Sequence, residues 1–251
     1  VHTYPTKTKY IILADSILFS DRGFGGQVLL LPPSIHNRED KPKRDNRVQL
    51  ADTVDLTAGD PMARMTTTRG LREQADPITM LTAYDATTAR LIDDCGIDIL
   101  LVGDSMGTEA LGYDSTLPVT VDDVERHTAA VARGSDDALV VADMPFLSVG
   151  VDEAETVRNA GRMLKDAGAD AVKLERGPHT VELTERLTQL GIPVMAHLGL
   201  TPQHVNQLGG YTRQGTTEAA AEEILSLARK HEDAGAFALV LEHVPANVAA
   251  Q

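Results

Sequence analysis

The sequence predicts an α/β fold made of repeated βα units with parallel strands, and three observations carry that prediction. Six short apolar runs recur, at residues 78–83, 99–103, 138–142, 171–174, 193–196 and 237–241. Four of them follow the same punctuation, a helical segment closed by glycine and then a residue or two before the run: Asp94-Cys95-Gly96-Ile97-Asp98, Asp166-Ala167-Gly168-Ala169-Asp170, Leu190-Gly191-Ile192 and Asp233-Ala234-Gly235-Ala236. Glycine just past a helix takes the left-handed conformation that ends it, so each repeat reads as a helix returning to a sheet. The runs also lack polar alternation; Ile99, Leu100, Leu101 and Val102 form a strand buried on both faces, as in parallel sheets. Strands alternating with helices imply parallel pairing through right-handed crossovers. A (β/α)8 barrel needs two further units, so the residues alone leave two architectures open: an open six-stranded sheet, or a barrel lacking its last quarter.

Taken in order, residues 1–64 have no helical or strand period. They contain Asp21-Arg22-Gly23-Phe24-Gly25-Gly26, Pro32-Pro33 and a charged stretch at 37–47, and read as an irregular extension. Met65, three threonines and the segment 69–75 resemble a capped first helix, so residues 65–251 are expected to be the barrel domain and Met65 its natural start. Residues 1–64 are then translated upstream sequence, the alternative being a genuine flexible appendage. Farther on, Val157, Met163, Leu164 and Ala167 after Asp152, and Ile224, Leu225, Leu227 and Ala228 after Thr217, have helical spacing.

Composition narrows the class. With 251 residues and 42% hydrophobic content the chain can bury a sizeable core, and its apolar runs are too short or interrupted to span a bilayer. No secretory signal is legible, and a single cysteine suits a reducing, cytoplasmic setting. Cys95 has no neighbouring base and is expected to be a buried structural thiol. The net charge of −14 is unevenly placed: residues 1–64 hold nine Lys and Arg against eight Asp and Glu, leaving fourteen against twenty-nine in the remainder. Such a surface argues against nucleic acid or an anionic membrane as partner. It resembles adaptation to high salt, where screening removes most of the self-repulsion.

The strand ends point to chemistry. Just past the apolar runs stand Tyr84-Asp85, Asp104-Ser105, Asp143, Lys173 with Glu175, His197 and Glu242-His243. In a parallel α/β array these ends share one face. Individually each has an ordinary structural role open to it: Asp85 and Asp143 as caps, His197 as a satisfied core imidazole, Glu242 as a solvated carboxylate. Together they favour a site, with Asp85 and His243 its weakest members. Asp104 and Asp143, with Glu175 directly or through water, offer the oxygen ligands that Mg2+ requires. Lys173 can hold an anionic group or a developing oxyanion. A 2-oxo acid on Mg2+ has an acidified C–H, and Glu242 can remove that proton, provided burial raises its pKa.

The motifs TMLTAYD (79–85), LVGDSMG (101–107), GYDSTLPVTVDD (112–123), HTAAVARG (127–134), VADMPF (141–146), VKLE (172–175), AHLGLTPQ (196–203), GGY (209–211) and LVLEHVP (239–245) resemble the ketopantoate hydroxymethyltransferase family over roughly residues 66–250. The resemblance implies a cytoplasmic, homo-oligomeric (β/α)8 enzyme, commonly a decamer. Such enzymes transfer a hydroxymethyl group from 5,10-methylenetetrahydrofolate to 3-methyl-2-oxobutanoate, giving 2-dehydropantoate for pantothenate and coenzyme A synthesis. It implies that Asp104 and Ser105 bind the 2-oxo acid with Asp143 and Lys173, that Asp104, Asp143 and Glu175 hold Mg2+, and that Glu242 is the proton acceptor. His197 matches a motif histidine lining the site.

The chain departs from that pattern at Arg176, where a small residue is usual, in its leading 64 residues, and in lacking counterparts of the last two βα units with their GIGAG-type strand end. An unclosed barrel exposes sheet edges and apolar faces. The chain as written is therefore expected to be poorly soluble or inactive where the full-length protein is active. The competing expectations are another Mg2+-dependent enolate-forming barrel of the phosphoenolpyruvate mutase or isocitrate lyase type, and a silent truncated copy that only joins an oligomer. The absence of the cysteine-bearing lyase loop weighs against the first.

Overall fold

A computed structural model describes residues 9–11, 66–177 and 179–251. The strands in chain order are β1 (Lys9–Ile11), β2 (Met80–Thr82), β3 (Ile99–Val102), β4 (Leu139–Asp143), β5 (Ala171–Glu175), β6 (Val194–Gly199) and β7 (Ala238–Glu242). The helices are α1 (Thr68–Glu73), α2 (Ala86–Asp93), α3 (Met106–Glu109), α4 (Val121–Gly134), α5 (Glu153–Lys165), α6 (Thr180–Gln189), α7 (Val205–Leu208), α8 (Glu218–Asp233) and α9 (Ala246–Ala249). Strands β2 to β7 lie side by side in sequence order and all pairs are parallel, the arrangement of a barrel wall that curls without closing.

All six expected strands are present, with ends shifted by a few residues. A seventh was not foreseen. Lys9, Tyr10 and Ile11 pair in parallel with Ala238, Leu239 and Val240, so these residues are a strand on the outer edge of β7 rather than part of an irregular stretch. The rest of the 1–64 segment lies outside the described residues.

Helix starts follow local chemistry. Thr67, Asp85, Thr120, Asp152 and Thr217 each cap a helix by accepting from backbone N–H groups of its first turn, and Thr120 with Asp123 forms a reciprocal capping box. Cys95 departs from expectation: it is exposed just past the end of α2, where its thiol donates to the Leu91 carbonyl at 3.2 Å. Among the described residues no helix is long and apolar enough to cross a membrane.

Strand alternation divides the core. Leu100, Val102, Val140, Ala142, Val172 and Leu174 point to one face, where they pack with Ala89, Val124, Val131, Met163, Leu183 and Leu187 of the helices. Ile99, Leu101, Leu139, Val141, Ala171, Met195, Ala238 and Val240 point to the other, with Leu71 and Phe237. Because side-chain direction repeats every second residue, Asp143, Lys173, Glu175, His197 and Glu242 continue this second, inner set toward the strand ends. The register staggers them: Asp143 pairs with Lys173, Glu175 with His197, and Gly199 with Glu242. One face of one sheet thus passes from apolar to ionic within two residues of each strand.

Candidate active site at the carboxyl ends of the strands

Asp104, Asp143, Lys173, Glu175 and His197 are all buried. Lys173 Nζ lies 2.7 Å from Asp143 Oδ1, a buried ion pair. Burial opposes the lysine charge, but Asp143, Asp104 and Glu175 outweigh it and hold the ammonium above its usual range. Asp104 shows the reverse balance. Burial first and the Asp143 charge second push its carboxyl up to about 7, against the pull of Lys173 and a hydrogen bond from Gln203. The main-chain N–H of Asp104 points at Asp143 Oδ2, 3.3 Å away.

His197 lies between this nest and Glu242. Its Nδ1 is 3.3 Å from Lys173 Nζ and its Nε2 is 3.0 Å from Glu242 Oε2. An ammonium can only donate, so a neutral ring accepts at Nδ1 and carries its proton on Nε2, which lies close to Glu242 without a hydrogen bond to it. Glu242 is set apart by access: its side chain is 22% exposed against 2% for those of Asp143 and Glu175. Among the carboxylates of the inner face it is the one a substrate can reach from solvent.

The backbone at Glu242 is tightly specified. Gly199, its register partner, has φ +95°, and a Cβ there would lie 2.2 Å from the Glu242 carbonyl oxygen. That carbonyl accepts from Leu200 N at 2.9 Å. His243 follows with φ +51°, turning the chain sharply after the carboxylate.

Ser105 is joined to Tyr84, whose hydroxyl is 2.9 Å from its Oγ; the Tyr84 carbonyl in turn accepts from His127 Nδ1 at 2.6 Å. Burial raises the Tyr84 phenol. Sequence reasoning noted Tyr84 only as a strand end and His127 only within a motif. It assigned no role to Gln203, whose side-chain amide reaches Asp104 and whose main chain reaches Glu175. Tyr211 was likewise unassigned; its phenol is raised by partial burial and then by the charges of Glu242, Asp104 and Glu175, so it stands in the field of the cluster. A polar residue in a loop that folds back over strand ends was the only available signal for either.

Not every candidate joins the site. Asp85 accepts from Thr87 N and Thr88 N as the cap of α2, and these bonds lower its carboxyl. His243 is exposed. Arg176 pairs with Glu223 of α8, so its charge is met outside the carboxylate cluster. As they stand, no three His, Cys, Asp or Glu side chains among the described residues converge into a ready metal cage.

The comparisons with known proteins agree with the motifs. The family model described as ketopantoate hydroxymethyltransferase matches residues 63–251. The 3-methyl-2-oxobutanoate hydroxymethyltransferase of Halobacterium salinarum is 73% identical over 178 residues, covering 71% of this chain and 65% of that protein. The protein of the same name from Haloarcula marismortui is 68% identical over 189 residues, covering 74% of this chain and 70% of that protein. The corresponding protein of Syntrophus aciditrophicus is 55% identical over 181 residues, covering 72% and 66%. The chain thus spans about two thirds of the length of these relatives, and only 65% of the Halobacterium protein. Among solved structures, oxaloacetate acetylhydrolase superposes with a TM-score of 0.55 at 16% identity over 76% of this chain and 67% of its own. Phosphonopyruvate hydrolase does so at 0.54 and 15%, over 71% and 63%. At such identities the likeness is one of fold. The sequence identities are of another order, and with the motifs seated on an α/β half-barrel of the expected topology, the chain belongs to the ketopantoate hydroxymethyltransferase family.

Proposed function

We propose that this chain carries the catalytic carboxylates of an enzyme that transfers a hydroxymethyl group from 5,10-methylenetetrahydrofolate to 3-methyl-2-oxobutanoate, with Mg2+ as cofactor. The observation that carries the reading is the pairing of a buried carboxylate–ammonium nest with one accessible carboxylate, Glu242, across His197. The names of the relatives support the acceptor, 3-methyl-2-oxobutanoate, and the hydroxymethyl group transferred.

The donors suit a hard cation. They are carboxylate oxygens only, three buried groups gathered about one ammonium, with Lys173 Nζ 2.7 Å from Asp143 Oδ1. Asp104 and Asp143 would hold Mg2+, with Glu175 directly or through water, and the remaining positions would go to substrate, as Mg2+ sites usually use few protein carboxylates. When bound, the cation supplies Lewis-acid polarisation of the keto group. Lys173 and Ser105 bind and orient the 2-oxo acid. Glu242 takes the proton from the carbon beside the keto group, with the His197 ring packed against the carboxylate. That carbon then bonds to the folate methylene carbon, both C–N bonds of the methylene bridge break, and water provides the hydroxyl.

The test isolates the first step. In D2O with Mg2+ and no folate, NMR should show exchange of the C3 proton of 3-methyl-2-oxobutanoate, and Glu242→Gln should reduce it by at least about 10²-fold. Exchange that survives in Glu242→Gln would remove Glu242 from this role.

A further inference from the structure

A carboxylate in a cluster has two oxygens, and which of them meets a cation depends on what holds the other. The turn after β6 holds two carboxylates at once. Thr201 and the 3₁₀ turn Pro202–His204 bring Gln203 across the strand ends, with His204 N donating to Thr201 O at 2.9 Å. The main-chain N–H of Gln203 donates to Glu175 Oε1 at 2.8 Å. Its side-chain Nε2 donates to Asp104 Oδ2 at 2.9 Å and to the Met144 carbonyl at 3.0 Å. The Met144 carbonyl can only accept, so the orientation of the amide is settled by chemistry. Both amide hydrogens are engaged, and the residue ties together the ends of β3, β4 and β5 from a loop of β6.

Glutamine suits this task because it donates without adding charge. A lysine or arginine at the same place would neutralise Asp104 and compete with a bound cation, whereas an amide fixes the carboxylate and leaves its charge available. Resting on the reading of the site as a Mg2+ and 2-oxo acid centre, we propose that Gln203 is a positioning residue for the cation. It holds Asp104 Oδ2 and Glu175 Oε1 so that Asp104 Oδ1 and Glu175 Oε2 are the oxygens left for the cation and its waters. Groups that orient metal ligands in this way typically contribute about 10- to 100-fold in metal affinity.

The experiment is calorimetric titration of Mg2+ into the full chain and its Gln203→Met variant, which keeps the side-chain length and the main-chain N–H to Glu175 but removes the side-chain amide donor to Asp104 and Met144. Folding is followed by circular dichroism. The expected result is a folded variant whose Mg2+ Kd is about 10-fold weaker. Gln203→Asn, which keeps the amide but shortens its reach, should show a similar loss and carries the test if the Met variant does not fold. A folded variant with unchanged Mg2+ affinity overturns the role of Gln203 while leaving the cation site intact. Failure of both variants to fold makes Gln203 a scaffold residue and overturns the proposal. Absence of Mg2+ binding by the unsubstituted chain overturns the reading of the site itself.

Discussion

The two ends of the sheet hold carboxylates in opposite ways, half-buried at the amino ends and buried at the carboxyl ends. At the amino ends, Asp93 gives both oxygens to hydrogen bonds: Oδ1 accepts from Ala138 N at 2.7 Å and Ser135 Oγ at 3.2 Å, and Oδ2 from Asp136 N at 2.9 Å and Asp137 N at 3.2 Å. Asp98 accepts from Thr79 N and Oγ1, and Asp170 from Val140 N. At the carboxyl ends, Asp104, Asp143 and Glu175 face one another across a single lysine. Burial works against the charge of Asp93 and Asp104 alike. The hydrogen bonds nevertheless bring Asp93 below its usual range, while burial and the Asp143 charge carry Asp104 up to about 7. The difference teaches what separates a strut from a site. A carboxylate saturated by fixed N–H groups has nothing left to offer a ligand, and one crowded by like charges is stabilised by whatever cation arrives.

Substitutions at the two ends should therefore fail differently. The largest effect is expected from Lys173→Met. Removing the one cation from a nest of three buried carboxylates should destabilise the chain by roughly 3–5 kcal/mol, measured by urea unfolding without Mg2+. A loss under about 1 kcal/mol would mean that the nest is not held by charge. Next comes Gly199→Ala, where the new Cβ collides with the Glu242 carbonyl and the positive φ disfavours a side chain. Misplacing a proton acceptor by about 1 Å can lower the rate by about 10²-fold, so C3 exchange should drop far more than thermal stability does.

Asp93→Asn sharpens the other side of the comparison. Turning one oxygen into a donor leaves backbone N–H groups unpaired and should cost about 2 kcal/mol, yet Mg2+ titration of the folded variant should match that of the parent. An altered Mg2+ affinity would show that the two ends are coupled.

The smallest effect concerns a buried group at neither end. His231 on α8 donates from Nδ1 to Thr184 Oγ1 at 3.1 Å, since that hydroxyl itself donates to the Thr180 carbonyl at 2.8 Å. Burial lowers the imidazole to about 4, against 6.5 unfolded. Between those values the unfolded chain binds more protons, so stability falls as pH drops below about 6.5 and levels off below about 4. By pH 5.5 the loss should be about 1 kcal/mol, and His231→Leu should abolish that share of the slope.

The strands and the identity of the acidic cluster were legible because both follow from short-range rules. An apolar run without alternation is a buried strand, glycine after a helix is a return to the sheet, and the residue one or two places beyond the run emerges at the sheet end. Asp104, Asp143, Lys173, Glu175 and Glu242 all yielded to that reading. Cys95 did not, because a single exposed face at a helix end leaves no periodic trace. The strand at Lys9–Ile11 did not either, since three residues carry no period and their partner lies more than two hundred positions away.

What the sequence determined by itself, then, was the αβ repeat, the parity that sends polar strand ends to one face, and the family, through motifs several residues long. The tertiary structure alone decided which neighbours those groups meet. The stagger between strands sets His197 between Lys173 and Glu242, and the turn at Pro202–His204 lays Gln203 over Asp104 and Glu175. Hydrogen bonds and charge couplings act over a few ångströms in space, and residues 104 and 203 become neighbours only once the sheet has curled.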